Sequence, residues 1–172
     1  MSDVAGSNLE FHPLNREQHG RGVAAFYERA GDYVLMERGE LPDAASVQAF
    51  FEDCPPGCDP ASSLKLACFD GQDAIIGIAD MAFGFPEASD AYIGLLLIDP
   101  GMRAQGVGRR FVQHLAREAR ARLCQRLLVA VLDINTRGRS FWEREGFVLE
   151  KTFEPRHIGA KSHVLHRLIK PL

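Results

Sequence analysis

The stretch Tyr92-Ile93-Gly94-Leu95-Leu96-Leu97-Ile98-Asp99-Pro100 runs into Gly101-Met102-Arg103-Ala104-Gln105-Gly106-Val107-Gly108-Arg109-Arg110. It continues through a helical pattern (FVQHLAREARARL), a second apolar strand (QRLLVAVLD) and a short amphipathic segment (INTRGRSFWEREGF), ending at Phe147. Its centre is Arg103-x-x-Gly106-x-Gly108. A strand that passes through such a turn into a helix N-terminus points several unpaired backbone N–H groups one way, where the helix dipole also favours negative charge. Gly106 and Gly108 lack Cβ atoms, so the main chain can come close to phosphate oxygens, and Arg103, Arg109 and Arg110 add positive charge. The expected ligand of this turn is a pyrophosphate.

Two other nucleotide sites fit less well. A P-loop requires Lys-Ser or Lys-Thr after its glycines, and none follows Gly108. A dinucleotide fingerprint requires a third glycine where this chain has Phe111 and an acidic residue after the next strand, a place Asp133 alone could take.

The segment resembles the acetyl-CoA site of the GNAT acyltransferase superfamily. Ile98-Asp99-Pro100 stands where that family has a V-x-P strand end before its phosphate turn. Asn135, Gly138, Phe141, Trp142, Gly146 and Phe147 approximate its second pattern, N-x-x-A-x-x-h-Y-x-x-x-G-F. The two motifs span about a third of the chain.

Outward from this segment, Leu9 and Phe11 alternate with polar residues in a first strand, and His19, Val23, Phe26, Tyr27 and Ala30 recur at helical spacing until Gly31. Pro42 and Asp43 open a second helix carrying Val47, Phe50 and Phe51, with Gly31 to Leu41 as the link. Strands are expected over 64–69, 74–83 and 92–98, joined by short turns and therefore antiparallel. Leu127 to Leu132 should run parallel to the fourth strand after a right-handed helical crossover. Strands near Phe147 to Glu154 and His163 to Ile169 finish the chain. The order β-α-α-β-β-β-α-β-α-β-β is the one the resemblance implies: an α/β (α+β) GNAT fold, with a mixed sheet of about seven strands and four helices, splayed between strands 4 and 5.

A length of 172 residues with 46% hydrophobic content suits a single domain over 1–172. The net charge of −3 gives no reason to expect nucleic acid or an anionic membrane as partner. Arg117, Arg120 and Arg122 read as a solvated helix face. The start Met1-Ser2-Asp3-Val4-Ala5-Gly6 has no basic-then-apolar pattern and no run approaches the ~20 apolar residues of a membrane span, so a cytoplasmic location is expected. Cys54-Pro55-Pro56-Gly57-Cys58 lacks a second ligand pair at zinc-like spacing, and no metal is expected; Cys68 reads as a core residue. His157, His163 and His166 read as surface and strand histidines without metal spacing.

The resemblance implies that a pantetheine arm pairs with the fourth strand at Leu96 and Ile98 as an added strand would, and that Arg103, Ala104, Gln105, Gly106, Val107, Gly108 and Arg109 hold the pyrophosphate. Gly94 is a candidate for the bulge where the strands part. Asn135, Ser140 and Trp142 would flank the arm. For Asn135 a helix N-cap is the other reading, and Phe141 is expected to be structural.

Acetyl transfer to an amine needs a proton acceptor, an oxyanion contact, which a fourth-strand N–H could give, and protonation or solvation of the leaving thiolate. Relatives place a tyrosine acid where this chain has Trp142, whose indole N–H donates a hydrogen bond but no proton at this pH. The fourth-strand position of the glutamate in histone-modifying relatives is Tyr92. Asp80, a carboxylate within the apolar run 75–83, is the first candidate for proton handling or acceptor contact, paired with Tyr92 on one strand face. A strand-end aspartate satisfied locally is its other reading. The loop Glu154 to Lys161 and the residues Tyr33 and Glu37 are expected near the acceptor.

The function implied is acetyl-CoA-dependent N-acylation of an amine by direct transfer in a ternary complex, with acetyl-CoA and an amine as partners. A non-catalytic acyl-CoA sensor, motivated by Trp142 and Tyr92, and a different acyl donor are the alternatives. A homodimer through a sheet edge is compatible with the resemblance.

Overall fold

A computed structural model describes residues 8–172. Strand β1 (Glu10–Pro13) leads into helices α1 (Arg16–Arg29), α2 (Asp32–Arg38) and α3 (Ala44–Glu52). Strands β2 (Leu64–Phe69), β3 (Ile75–Phe83) and β4 (Asp90–Ile98) follow, then α4 (Val107–Ala121), β5 (Arg126–Leu132) and α5 (Thr136–Arg144). The chain closes with β6 (Val148–Thr152), a small hairpin of β7 (Arg156–Ile158) and β8 (Lys161–His163), and β9 (Leu165–Pro171).

The main sheet has seven strands in the order β1-β2-β3-β4-β5-β9-β6. The pair β4/β5 is parallel and its other neighbours are antiparallel, as the short turns and the α4 crossover dictate. Helices cover both faces, because successive strand side chains point to opposite sides and each set must be buried. On one face Leu66, Cys68, Met81, Ile93 and Leu127 pack beneath Phe111 and Leu115 of α4. On the other, Ala67, Ile78 and Leu97 pack beneath Val23 and Phe26 of α1 and Phe50 of α3.

Two elements depart from the sequence expectation. Gly31 to Leu41, read as a link, contains α2, so among the described residues there are five helices rather than four. At seven residues it is too short to display a convincing helical period, and it is held by contacts at its ends. The loop after β6 holds the β7–β8 hairpin, whose strands are three residues each. His163, expected as a surface or strand histidine, is 3% exposed. Among the described residues no helix is long and apolar enough to cross a membrane.

Candidate functional site

Parallel pairing of β4 with β5 covers only Asp90–Ile93 against Arg126–Val129. Beyond that point β4 leaves its neighbour, and among the described residues its edge over Leu95–Ile98 has no ladder partner on the β5 side. The departure begins at a bulge. Asp80 lies opposite Leu95 while Met81 lies opposite Ile93, so Gly94 is the extra residue. A Cβ on Gly94 would lie 2.7 Å from Oδ2 of Asp80, so a larger residue there would push the Asp80 carboxylate from its place.

A groove of about 500 Å³ fills the gap. Leu96 and Ile98 of β4 form one wall, and Val129 to Val131 of β5, Asn135, Phe141 and Trp142 form the other. The turn 103–108 closes one end. Its backbone takes left-handed values at Ala104 (φ 60°) and Gly106 (φ 80°). Glycine adopts that region freely, whereas Ala104 is strained into it, and such a sequence of dihedrals turns successive amides toward one side. The first α4 amide with a backbone acceptor is that of Arg110, on the Gly106 oxygen at 3.1 Å. Among the described residues no acceptor meets the amides of Gln105, Gly106, Val107 and Gly108, the ordinary orphan donors of a helix start.

The charges around the turn divide into committed and free. The Arg103 guanidinium donates to both carboxylate oxygens of Asp32 at 2.6 and 2.8 Å, and to the Ile98 carbonyl at 3.0 Å. It therefore clasps the start of α2 to the turn, and its hydrogen bonds hold the Asp32 carboxyl below the usual carboxylate value. Arg109 lines the groove and meets no carboxylate among the described residues, as do Arg137 and Arg144, which sequence reasoning did not single out. Only their spacing along α5, one helical face opposite the turn, could have pointed to them.

The remaining expected residues sort clearly. Asn135 lines the groove and also caps α5, its side chain accepting from the Gly138 amide at 2.9 Å, so both readings hold together. Trp142 is 6% exposed, borders the groove and packs edge-on against Phe141 and Phe147. Phe141, expected to be structural, borders the groove as well. Gln105 turns back to the Gly101 carbonyl, Val107 is buried in the core, and Ser140 is exposed outside the groove lining.

A second cavity of about 350 Å³ lies under α2 and α3. Tyr33, Gly94 and Leu95 line both spaces, so the two meet where β4 leaves β5. Asp80 borders this second cavity, and its carboxylate receives the Lys65 ammonium at 2.8 Å, which also donates to the Asp53 carbonyl at 2.9 Å. Burial pushes the Asp80 carboxyl above its ordinary value and Lys65 pulls it back. Tyr92 lies opposite Ala82, packs edge-on against Phe85 and borders neither cavity, so the structure does not bring it to Asp80 at either opening. Burial raises its hydroxyl pKa. Glu37 and Tyr33, expected near the acceptor, do line the second cavity.

Residues 24–147 match the acetyltransferase (GNAT) family. The chain belongs to the GNAT acetyltransferase family. Among its relatives is the mycothiol acetyltransferase of Beutenbergia cavernae, 35% identical over 89 residues, which are 52% of this chain and 29% of that protein. The match thus spans under a third of that relative's length. An acetyltransferase from Thermus thermophilus superposes with a TM-score of 0.74 at 23% identity, covering 96% of this chain and 97% of that one. The GNAT domain of an S. lividans protein gives 0.72 at 20% identity, covering 95% and 90%. The ribosomal-protein-S18-alanine N-acetyltransferase of Escherichia coli gives 0.70 at 14% identity, covering 95% and 94%. At these identities the superpositions establish the GNAT fold.

Proposed function

We propose that the protein transfers an acetyl group from acetyl-CoA to an amine, directly between the two substrates held together. What carries the reading is the adjacency of two features: a β4 edge with no strand partner and a helix start whose amides have no acceptor. A pantetheine amide chain can hydrogen-bond the first as an added strand, and a diphosphate suits the second. Arg109, Arg137 and Arg144, free of carboxylate partners among the described residues, suit the remaining negative charge.

In this reading the backbone at Leu96 and Ile98 aligns the arm, the amides of Gln105 to Gly108 grip the diphosphate, and Trp142 walls the arm off from the core. The thioester comes to rest beside Gly94, where the two cavities meet and where a β4 amide past the bulge can bind the developing oxyanion. Trp142 cannot return a proton to the sulfur, so the departing thiolate takes one from the amine or from water.

Calorimetric titration with coenzyme A, followed by thiol release from acetyl-CoA over a panel of amines, tests the proposal. Heat of binding and turnover with an amine are expected; the absence of both would refute it.

A further inference from the structure

Resting on that reading, we propose that the cavity beneath α2 and α3 receives a cationic amine and that the Glu37 carboxylate, rather than Asp80, takes its proton. Asp80 is the less available of the two. Its carboxylate is bound to Lys65 at 2.8 Å, with side chains 13% and 6% exposed, so its charge is already neutralised in place. Glu37 has no such partner. The Tyr33 hydroxyl donates to its Oε1 at 3.4 Å, and its nearest cation is the Nε of Arg38 at 3.6 Å, on the same helix.

The cavity has a polar group in waiting. Tyr27 lines it and is 6% exposed, yet among the described residues its hydroxyl meets no hydrogen-bond partner. The hydroxyl is not sealed off from the cavity, so it can accept a hydrogen bond from an entering ammonium. The charge on the lining is one-sided even with Asp80 paired to Lys65, since Glu37, Glu40, Asp43 and Asp53 stand against Arg38. An ammonium is attracted to such a space and an anionic or zwitterionic acceptor is disfavoured. The position also fits, because Tyr33 of α2, Gly94 and Leu95 border both this cavity and the groove.

The chemistry balances. Ionised Glu37 accepts one proton from the ammonium, and the freed nitrogen lone pair forms the C–N bond while the thioester C–S bond breaks. The thiolate leaves with the second proton shed by the nitrogen, and Glu37 releases its own to solvent. Burial raises the Glu37 carboxyl, which brings its basicity nearer to that useful at neutral pH. Against burial, Arg38 and Tyr33 on its own helix and His163 from β8 pull the carboxyl back, while the charges of Glu37 and Asp80 in turn raise the neighbouring Tyr27 hydroxyl of α1. The His163 Nε2 lies 2.7 Å from the Glu37 carbonyl, which can only accept, so Nε2 carries the hydrogen. Nδ1 is buried without a partner.

The test uses the full chain, acetyl-CoA, and 1,4-diaminobutane against glycine as acceptors. The diamine should exceed glycine at least tenfold in kcat/KM. Glu37→Gln should lower kcat about 10²–10³-fold with the calorimetric affinity for coenzyme A unchanged. The acid limb of the rate profile, rising with pH as Glu37 ionises, should vanish in Glu37→Gln and persist in Asp80→Asn. Glu37→Asp, which keeps a carboxylate, should retain the limb at reduced rate, separating loss of the base from loss of folding. An acid limb surviving in Glu37→Gln, its loss in Asp80→Asn, or a preference for glycine would overturn the inference while wild-type turnover left the acetyltransferase reading intact. No binding of coenzyme A and no turnover in the wild type would remove both.

Discussion

Replacing Lys65 by Met retains the aliphatic stem and removes the ammonium that Asp80 relies on. Lys65 is 6% exposed and its Nζ satisfies Asp80 Oδ1, the Asp53 carbonyl and, at 5.8 Å from the centroid, the face of Phe50. Taking one partner from a buried ion pair leaves an uncompensated charge, a loss of about 3–5 kcal/mol. For a chain of this size each kcal/mol moves Tm by about 2–4 °C, so Lys65→Met should melt about 6–20 °C below wild type at neutral pH. The sign with pH follows from Asp80. Without Lys65, burial raises the carboxyl of the folded state above that of the unfolded chain, so the folded state binds the proton more tightly. Stability relative to wild type is then greatest at acid pH and falls as pH rises through the raised value. Adding Asp80→Asn removes the stranded charge and should recover part of the loss. Thermal melts of the four chains of the cycle at pH values from about 4 to 8, spanning the carboxylate range, read this directly. A Lys65→Met chain within about 1 kcal/mol of wild type, or a double variant less stable than Lys65→Met, would refute the argument.

Three further outcomes are expected. Gly108→Val places a branched side chain where even an added Cβ would lie 3.0 Å from the Phe141 ring; coenzyme A affinity by calorimetry should fall at least tenfold. Trp142→Phe keeps an aromatic ring but trims the indole and removes its N–H, and since that group cannot transfer a proton, kcat should fall less than tenfold in the thiol-release assay. Arg103→Ala severs a pair whose side chains are 28% and 53% exposed, so the melting temperature should shift by about 4 °C or less, whereas turnover should fall further because α2 loses its anchor to the turn.

Much of the fold could be read from periodicity and punctuation. The apolar runs of β2, β3, β4 and β5 are bounded by turn residues, and α1 and α4 show a buried stripe several turns long. The helix α2 could not be read in this way, because Tyr33, Val34 and Met36 within seven residues make no distinctive pattern and its position is fixed by Asp32 and by backbone bonds at its far end. The left-handed turn before α4 was legible because glycine spacing encodes backbone conformation directly. The commitment of Arg103 to Asp32 was not, since it joins residues 71 apart in the chain. Asp80 stood out as a carboxylate in an apolar strand, but only the β2/β3 register, with Lys65 opposite Asp80, reveals what answers it. Glu37 was expected near the acceptor only because the link between the first helices borders it in the family resembled; its surroundings come from α1, α2 and β8, which no local pattern encodes.

The short helix α2 is tied at both ends to different parts of the molecule. Its first residue is clasped by Arg103 of the phosphate turn, and at its last turn the Arg38 carbonyl accepts from the Ala160 amide at 3.0 Å while the Glu37 carbonyl accepts from His163. Seven residues at about 1.5 Å each make a strut of roughly 10 Å, so the spacing between the turn before α4 and the cavity under α2 and α3, the two substrate sites of the proposed reaction, is set by one rigid member rather than by loops. A relative that lengthened this strut by a turn would carry its carboxylate past the reacting carbon, whereas one that altered the hairpin alone could admit a bulkier amine without disturbing the donor.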